Sequence, residues 1–320
     1  MYEFIYLIKT FAAALICNSH MEELYPISAM AVGGSLGNSL FFIVSGFLIS
    51  TKTEIGPVRW YLKRCSRLYP SYWILNLVLL VVGDYDITTI QEFFYRFILP
   101  IKSFWFVGAI LIFYALFYFV IRSGRHNLQY WFLVTNIVYF IGYVFFLDLS
   151  RWTVEGSGYF KFIFYFDVML CGYWIKVNFA KIKEFAEKYR VGCLTGSVLS
   201  IVAFLGIRLA MIAVPIVTYV QFLVQASSLF FAGFTFMTAL SFEPSLKHQK
   251  DSIIGKVLLL ISSSTLEIYL VNYVLIDVAT RFVFPVNTIL AFSMIFVVGV
   301  TAHYSINTGM NLVATCLRRR

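Results

Sequence analysis

Apolar runs of about 16–25 residues, separated by short polar stretches, recur along almost the whole of this 320-residue chain. A run of that length suits one helical crossing of a hydrocarbon layer about 30 Å thick. Inside lipid each backbone amide needs a partner from its own segment, and a helix supplies one. Ten runs stand out, at about 3–20, 30–50, 69–83, 104–121, 130–147, 159–177, 191–208, 212–240, 257–276 and 288–312. The third is short and opens on an aromatic group, Tyr69-Pro70-Ser71-Tyr72-Trp73. The eighth is long, and Pro215 marks its start or a kink. Only 13% of residues are charged, against about 25% in soluble domains. The expected fold is an all-α polytopic transmembrane helical bundle of about ten helices, with residues 1–320 as a single domain. No internal repeat, low-complexity tract or linker interrupts it.

The Lys and Arg residues set an expected orientation in the bilayer. They gather at 52–67, 122–125, 176–190, 247–256 and 318–320, whereas the opposite loops hold only Arg96, Lys102, Arg151, Lys161, Arg208 and Arg281. The bias is about three to one, and it puts both termini in the cytoplasm. The net charge of +9 is spread between apolar runs and forms no single patch, so nucleic acid is not an expected partner. Five cysteines, Cys17, Cys65, Cys171, Cys193 and Cys316, show neither paired nor metal-ligand spacing. Residues 1–8 carry Glu3 and no Lys or Arg, unlike the start of a cleaved signal, so the first run is expected to remain as a helix. In the loop at 84–103, Ile90, Phe93, Phe94, Phe97 and Ile98 fall at helical spacing, which suits a short amphipathic helix on or partly within the membrane.

Within the first run Lys9 and His20 lie eleven positions apart. On a helix that is about three turns, so both share one stripe roughly 16 Å from end to end. A cation costs about 2.5–3.5 kcal/mol near the bilayer centre, and such groups usually face a bundle interior or a wet cavity. Alternatively, Lys9 snorkels to an interface and His20 merely ends the helix. Histidine titrates near neutrality and is the commonest general base.

Three ordered stretches carry a resemblance. They are Lys9 and His20 at that spacing, FFIVSGFL at 41–48, and RCSRLYPSY at 64–72. Together they resemble the membrane-bound acyltransferase-3 family, whose members have Arg where this chain has Lys9. SFWF at 103–106 and STLEIYLVN at 264–272 match more loosely, the latter ending in Asn272 where His is common. The resemblance implies an O-acyltransferase of a bacterial inner membrane. An acyl group, most simply acetyl from cytoplasmic acetyl-CoA, passes to a sugar hydroxyl of a lipid-linked or surface polysaccharide. His20 would be the general base, and Lys9 would supply positive charge to the thioester or pantetheine oxygens. Lys is a point charge, where Arg offers a planar fork of donors. Arg64 and Arg67, with Lys63, would grip the phosphates of coenzyme A, as residues three apart share a helix face. A basic cytoplasmic loop is equally the ordinary reading of that stretch.

Further candidates have two readings each. Ser45 either lines the acceptor pocket or packs helices with Gly33, Gly34, Gly37 and Gly46. Glu267 either pairs with a cation such as Lys9 or orients His20. Asp167 raises the same question without motif support, and Trp105 is a substrate-stacking ring or part of the interfacial belt. No metal-binding or nucleotide-binding signature stands out. Two other functions remain open: a transporter or flippase with Lys9, His20 and Glu267 along a polar path, and a family member that binds donor or glycan without transferring.

Overall fold

A computed structural model describes the chain except residues 1, 50–53, 84, 103, 157, 319 and 320. Lys52, Arg319 and Arg320 of the charge bias, and Ser103, fall outside the described residues. Every regular element among those described is helical. The chain opens with α1 (Glu3–Ser19), α2 (Gly34–Leu48) and α3 (Pro57–Val81). Next come the single turn α4 (Ile90–Phe93), continued by a π-helical turn over Phe94–Ile98, then α5 (Trp105–Arg122) and α6 (Leu128–Phe146). The middle holds α7 (Lys161–Val177), α8 (Phe179–Lys188), α9 (Arg190–Ala213), α10 (Phe222–Ser241) and α11 (Glu243–His248). It closes with α12 (Ile253–Ser263), α13 (Thr265–Ala279) and α14 (Val286–Arg318).

Six stretches, 28–48, 105–122, 125–146, 190–213, 222–241 and 286–312, are long and apolar enough to cross a membrane. Two bent pairs bring the number to eight: α7 with α8, which turn by 89°, and α12 with α13, which turn by 74°. The run expected at 257–276 is therefore two helices broken at Ser264. The oxygens of Ser262 and Ser264 bond back to the carbonyls of Leu259 and Leu260, a serine habit that bends helices. The stretch containing Arg64 and Arg67, expected as a loop, is the first half of α3. Pro57 starts that helix at its first position, where the missing N–H costs nothing, and the helix runs on through Pro70. Arg59, Lys63, Arg64 and Arg67 in this half keep α3 out of the apolar set.

The helices cluster into two compact units. The first comprises Met1–Ala12, Gly33–Thr51 and Val120–Lys256; the second comprises Ala13–Val32, Lys52–Phe119 and Val257–Arg320. In the first unit α2 and α7 lie backbone to backbone. A Cβ on Gly46 would fall on the carbonyl of Met169, and one on Gly172 would fall on that of Ile43. Gly46 of the FFIVSGFL stretch is thus a packing residue. Phe4, Phe47 and Phe236 fill the core beside it, with ring centroids 5.1–6.1 Å apart. The carboxylate of Glu243 accepts the free N–H groups of Glu3 and Phe4, at 3.3 and 2.8 Å, and so caps α1 from across the sequence.

In the second unit one flank of α3, at Tyr69, Tyr72, Trp73 and Asn76, faces the π-helical turn. These positions follow i, i+3, i+4, i+7 spacing. Tyr69 donates to the carbonyl of Ile98, Trp73 to Phe97 at 2.8 Å, and Tyr72 and Asn76 to Arg96. The aromatic group of the motif thereby satisfies carbonyls that the end of a helical turn leaves bare. Helix α13 packs on α3 and closely on α14, where a Cβ at Gly299 would sit 2.8 Å from the Cα of Ile268.

Candidate active site

His20 follows the last residue of α1 and belongs to the second unit. Two asparagines hold the loop behind it. The Asn18 amide donates to the carbonyls of Met30 and Val32, at 2.9 and 2.8 Å, and that of Asn287 donates to Leu24 at 2.8 Å. The imidazole of His20 lies against the ring of Tyr273 on α13, with centroids 4.5 Å apart. Among the described residues neither ring nitrogen has a hydrogen-bond partner. A histidine held by its loop and by a ring contact, with both nitrogens free, suits proton transfer to and from a bound molecule.

Helix α13 carries three further groups in this unit. Tyr269, one turn before Tyr273, is flanked by Phe104 and Phe106, with centroids 6.1 and 5.7 Å away. Glu267 is 2% exposed. Its Oε1 accepts from the Ser71 hydroxyl at 2.5 Å and lies 3.1 Å from Nδ1 of His303 on α14. That approach is an ion-pair distance without the alignment of a hydrogen bond, and Nδ1 has no hydrogen-bond partner among the described residues. Nε2 of His303 lies 3.0 Å from the amide of Asn307. The second oxygen of Glu267 and both amide atoms of Asn272 are buried and have no hydrogen-bond partner among the described residues.

The other sequence candidates fall as follows. Lys63 and Arg67 are exposed on α3, whereas Arg64 folds back. Its guanidinium carbon sits 3.2 Å over the Trp60 ring and Nη1 donates to the Trp60 carbonyl at 2.9 Å. Trp105 begins α5 and is half-buried beside Phe106. Lys9 lies within α1, half-buried, and Ser45 lies in α2; both belong to the first unit. Asp167, also there, takes the hydroxyl of Thr135 and the amide of Asn136. Among the described residues no group of three or more His, Cys, Asp or Glu is placed to hold a metal ion.

The sequence reading missed His303 and Tyr273. The signal for His303 was present: a histidine and Asn307 one turn apart in an apolar run are intramembrane polar residues, which warrant a functional reading by default. Tyr273 had no such signal, since one more tyrosine among 21 does not stand out.

A family model described as an acyltransferase domain matches residues 2–307, nearly the whole chain. The chain belongs to the acyltransferase-3 family. It is a multi-pass membrane acyltransferase by that membership and by its apolar helices. No curated protein and no solved structure matches it.

Proposed function

We propose that this acyltransferase-3 member moves an acyl group, acetyl in the simplest case, from cytoplasmic acyl-CoA to a sugar hydroxyl of a cell-envelope polysaccharide, with His20 as the general base. The observation that carries the reading is the His20 imidazole, anchored by its loop and by Tyr273 while neither nitrogen has a hydrogen-bond partner among the described residues. In the reaction His20 takes the proton of the acceptor hydroxyl as its oxygen attacks the thioester carbonyl. The carbon–sulfur bond then breaks, and the proton passes to the thiolate of coenzyme A, so the histidine ends as it began. Holding the two substrates together and supplying a positioned base each remove several kcal/mol of barrier.

The positive-inside bias supports donor binding from the cytoplasm at the start of α3, where exposed Lys63 and Arg67 offer charge-assisted bonds to phosphates. Arg64 joins them only by leaving the Trp60 ring. The test is His20→Ala in purified protein and in cells. The expected outcome is loss of acyl transfer by about 100-fold or more, with normal membrane insertion and yield. Full transfer in that variant removes the mechanism.

A further inference from the structure

We infer that Asn272 is a donor-binding residue, whose carboxamide pairs with an amide of the pantetheine arm of acyl-CoA. This rests on the acyl-CoA reading given above. Asn272 is 0% exposed, and neither its Nδ2 nor its Oδ1 has a partner among the described residues. Buried polar atoms are almost always paired, because a lost partner is not replaced by water.

Other asparagines of the same unit follow that rule. Asn18 donates twice and accepts from Tyr25. Asn76 donates to Arg96 and accepts from Tyr85 at 2.7 Å. Asn287 donates to Leu24 and accepts from the Thr288 N–H at 2.7 Å. Asn272 alone of these four presents an unused donor and an unused acceptor together. It keeps them at a point fixed by its neighbours, since Tyr273 is the residue against His20.

The shape of the donor gives the reason for an amide. In an acyl-CoA the last pantetheine amide stands only two methylenes from the sulfur, so a group that recognises it sits close to the catalytic base. Asn272 shares a helical turn with Tyr273, the residue that touches that base, with its own side chain about 100° round the helix from that of Tyr273. An amide offers one N–H and one C=O, and a carboxamide answers with one of each. A sugar ring would present several hydroxyls and ask for several polar partners. The residues one turn away on α13 are Ile268, Tyr269, Leu275 and Ile276, three of them apolar, which suits the slender and mostly apolar arm better.

The experiment measures binding, so it does not depend on turnover. Coenzyme A and adenosine 3′,5′-bisphosphate, which lacks the pantetheine arm, are titrated onto the purified full chain and its Asn272→Leu variant in nanodiscs, with thermal unfolding of each protein free of ligand. Leucine of similar size should weaken coenzyme A by about tenfold or more, leave the bisphosphate unchanged, and raise the ligand-free melting temperature by removing two unpaired polar atoms. Equal weakening of both ligands, or of neither, overturns the inference, the second result meaning that the carboxamide holds water. A lower ligand-free melting temperature also overturns it, because it would show the amide to be paired within the protein. If wild-type protein binds no coenzyme A, the acyl-CoA reading itself falls, and the inference with it.

Discussion

Each unit of the protein holds a carboxylate among several polar side chains, Glu155 in the first and Glu267 in the second, and these two are satisfied differently. In the first unit Glu155 receives the Tyr165 hydroxyl and the Gln225 amide, both at 2.8 Å, along with the Ser35 hydroxyl. Gln225 also accepts from Tyr139, and Lys161 donates to the carbonyl of Gly156 beside it. Burial still raises the pKa of Glu155 above the usual carboxylate range, with these donors and the nearby lysine opposing the shift. In the second unit Glu267 has one oxygen engaged and one bare, and Asn272 on the same helix is wholly unpaired. A network with every member satisfied rigidifies a fold, while a network left open either weakens it or waits for a ligand. By this measure the Glu155 cluster is a clamp between α6, α7, α10 and the loop before α7. The α13 cluster has the open polar atoms that a site requires.

The largest expected effect tests that contrast directly. Glu155→Ala takes one acceptor from each of the Tyr165 hydroxyl and the Gln225 amide and opens a gap between them, so it should cost about 3 kcal/mol of stability. Glu267→Gln keeps an oxygen for Ser71 and should change stability by less than about 1 kcal/mol while lowering acyl transfer. Thermal melts with activity at matched folded fraction measure both. Equal stability losses would erase the distinction between clamp and site.

Next in size is the close approach of α2 and α7. Gly46→Ala places a methyl on the Met169 carbonyl, and overpacking of this kind costs about 1–3 kcal/mol. A smaller loss, about 1 kcal/mol, is expected for Tyr72→Phe, which frees the Arg96 carbonyl of one donor while Asn76 keeps the other. If Tyr72→Phe lowers transfer with an unchanged melt, the aromatic group of α3 contributes to the site as well as to the fold.

Much of this was legible in the sequence, and the gaps have physical causes. Hydropathy alone located nearly every long helix, because a bilayer fixes the length of a crossing. The break at Ser264 was not legible, since the run 257–276 is apolar on both sides and only the serine back-bonding divides it. The basic stretch at 59–67 reads as a loop because charge usually ends an apolar span, whereas Pro57 starts a helix that carries the charges. His20 stands out as a candidate by its spacing and motif. Spacing gave no partner for Glu267, whose neighbours come from α3 and α14, 196 and 36 positions away. Long-range pairing of this sort depends on how helices are arranged, and a local pattern of residues does not encode that arrangement.

The smallest expected effect concerns a carboxylate outside both clusters. Glu92 accepts the N–H groups of Thr88 and Thr89, at 2.8 and 3.0 Å, and Thr89 accepts back from the Glu92 N–H at 3.1 Å. This capping box fixes the start of α4. The bonds from Thr88 come first among the causes that hold the Glu92 carboxyl below its usual range. A lowered pKa in the folded state means that the cap is complete above the ordinary carboxylate value and is lost as pH falls through the lowered one. Protection of the amides at residues 88–93, taken relative to their intrinsic exchange rates at each pH, should therefore fall on acidification below about pH 4. Glu92→Gln should flatten that pH dependence. Because the residue is fully exposed, the overall melt should hardly move, and a large fall in melting temperature would mean that the turn after α4 supports α3 more than its four side-chain bonds indicate.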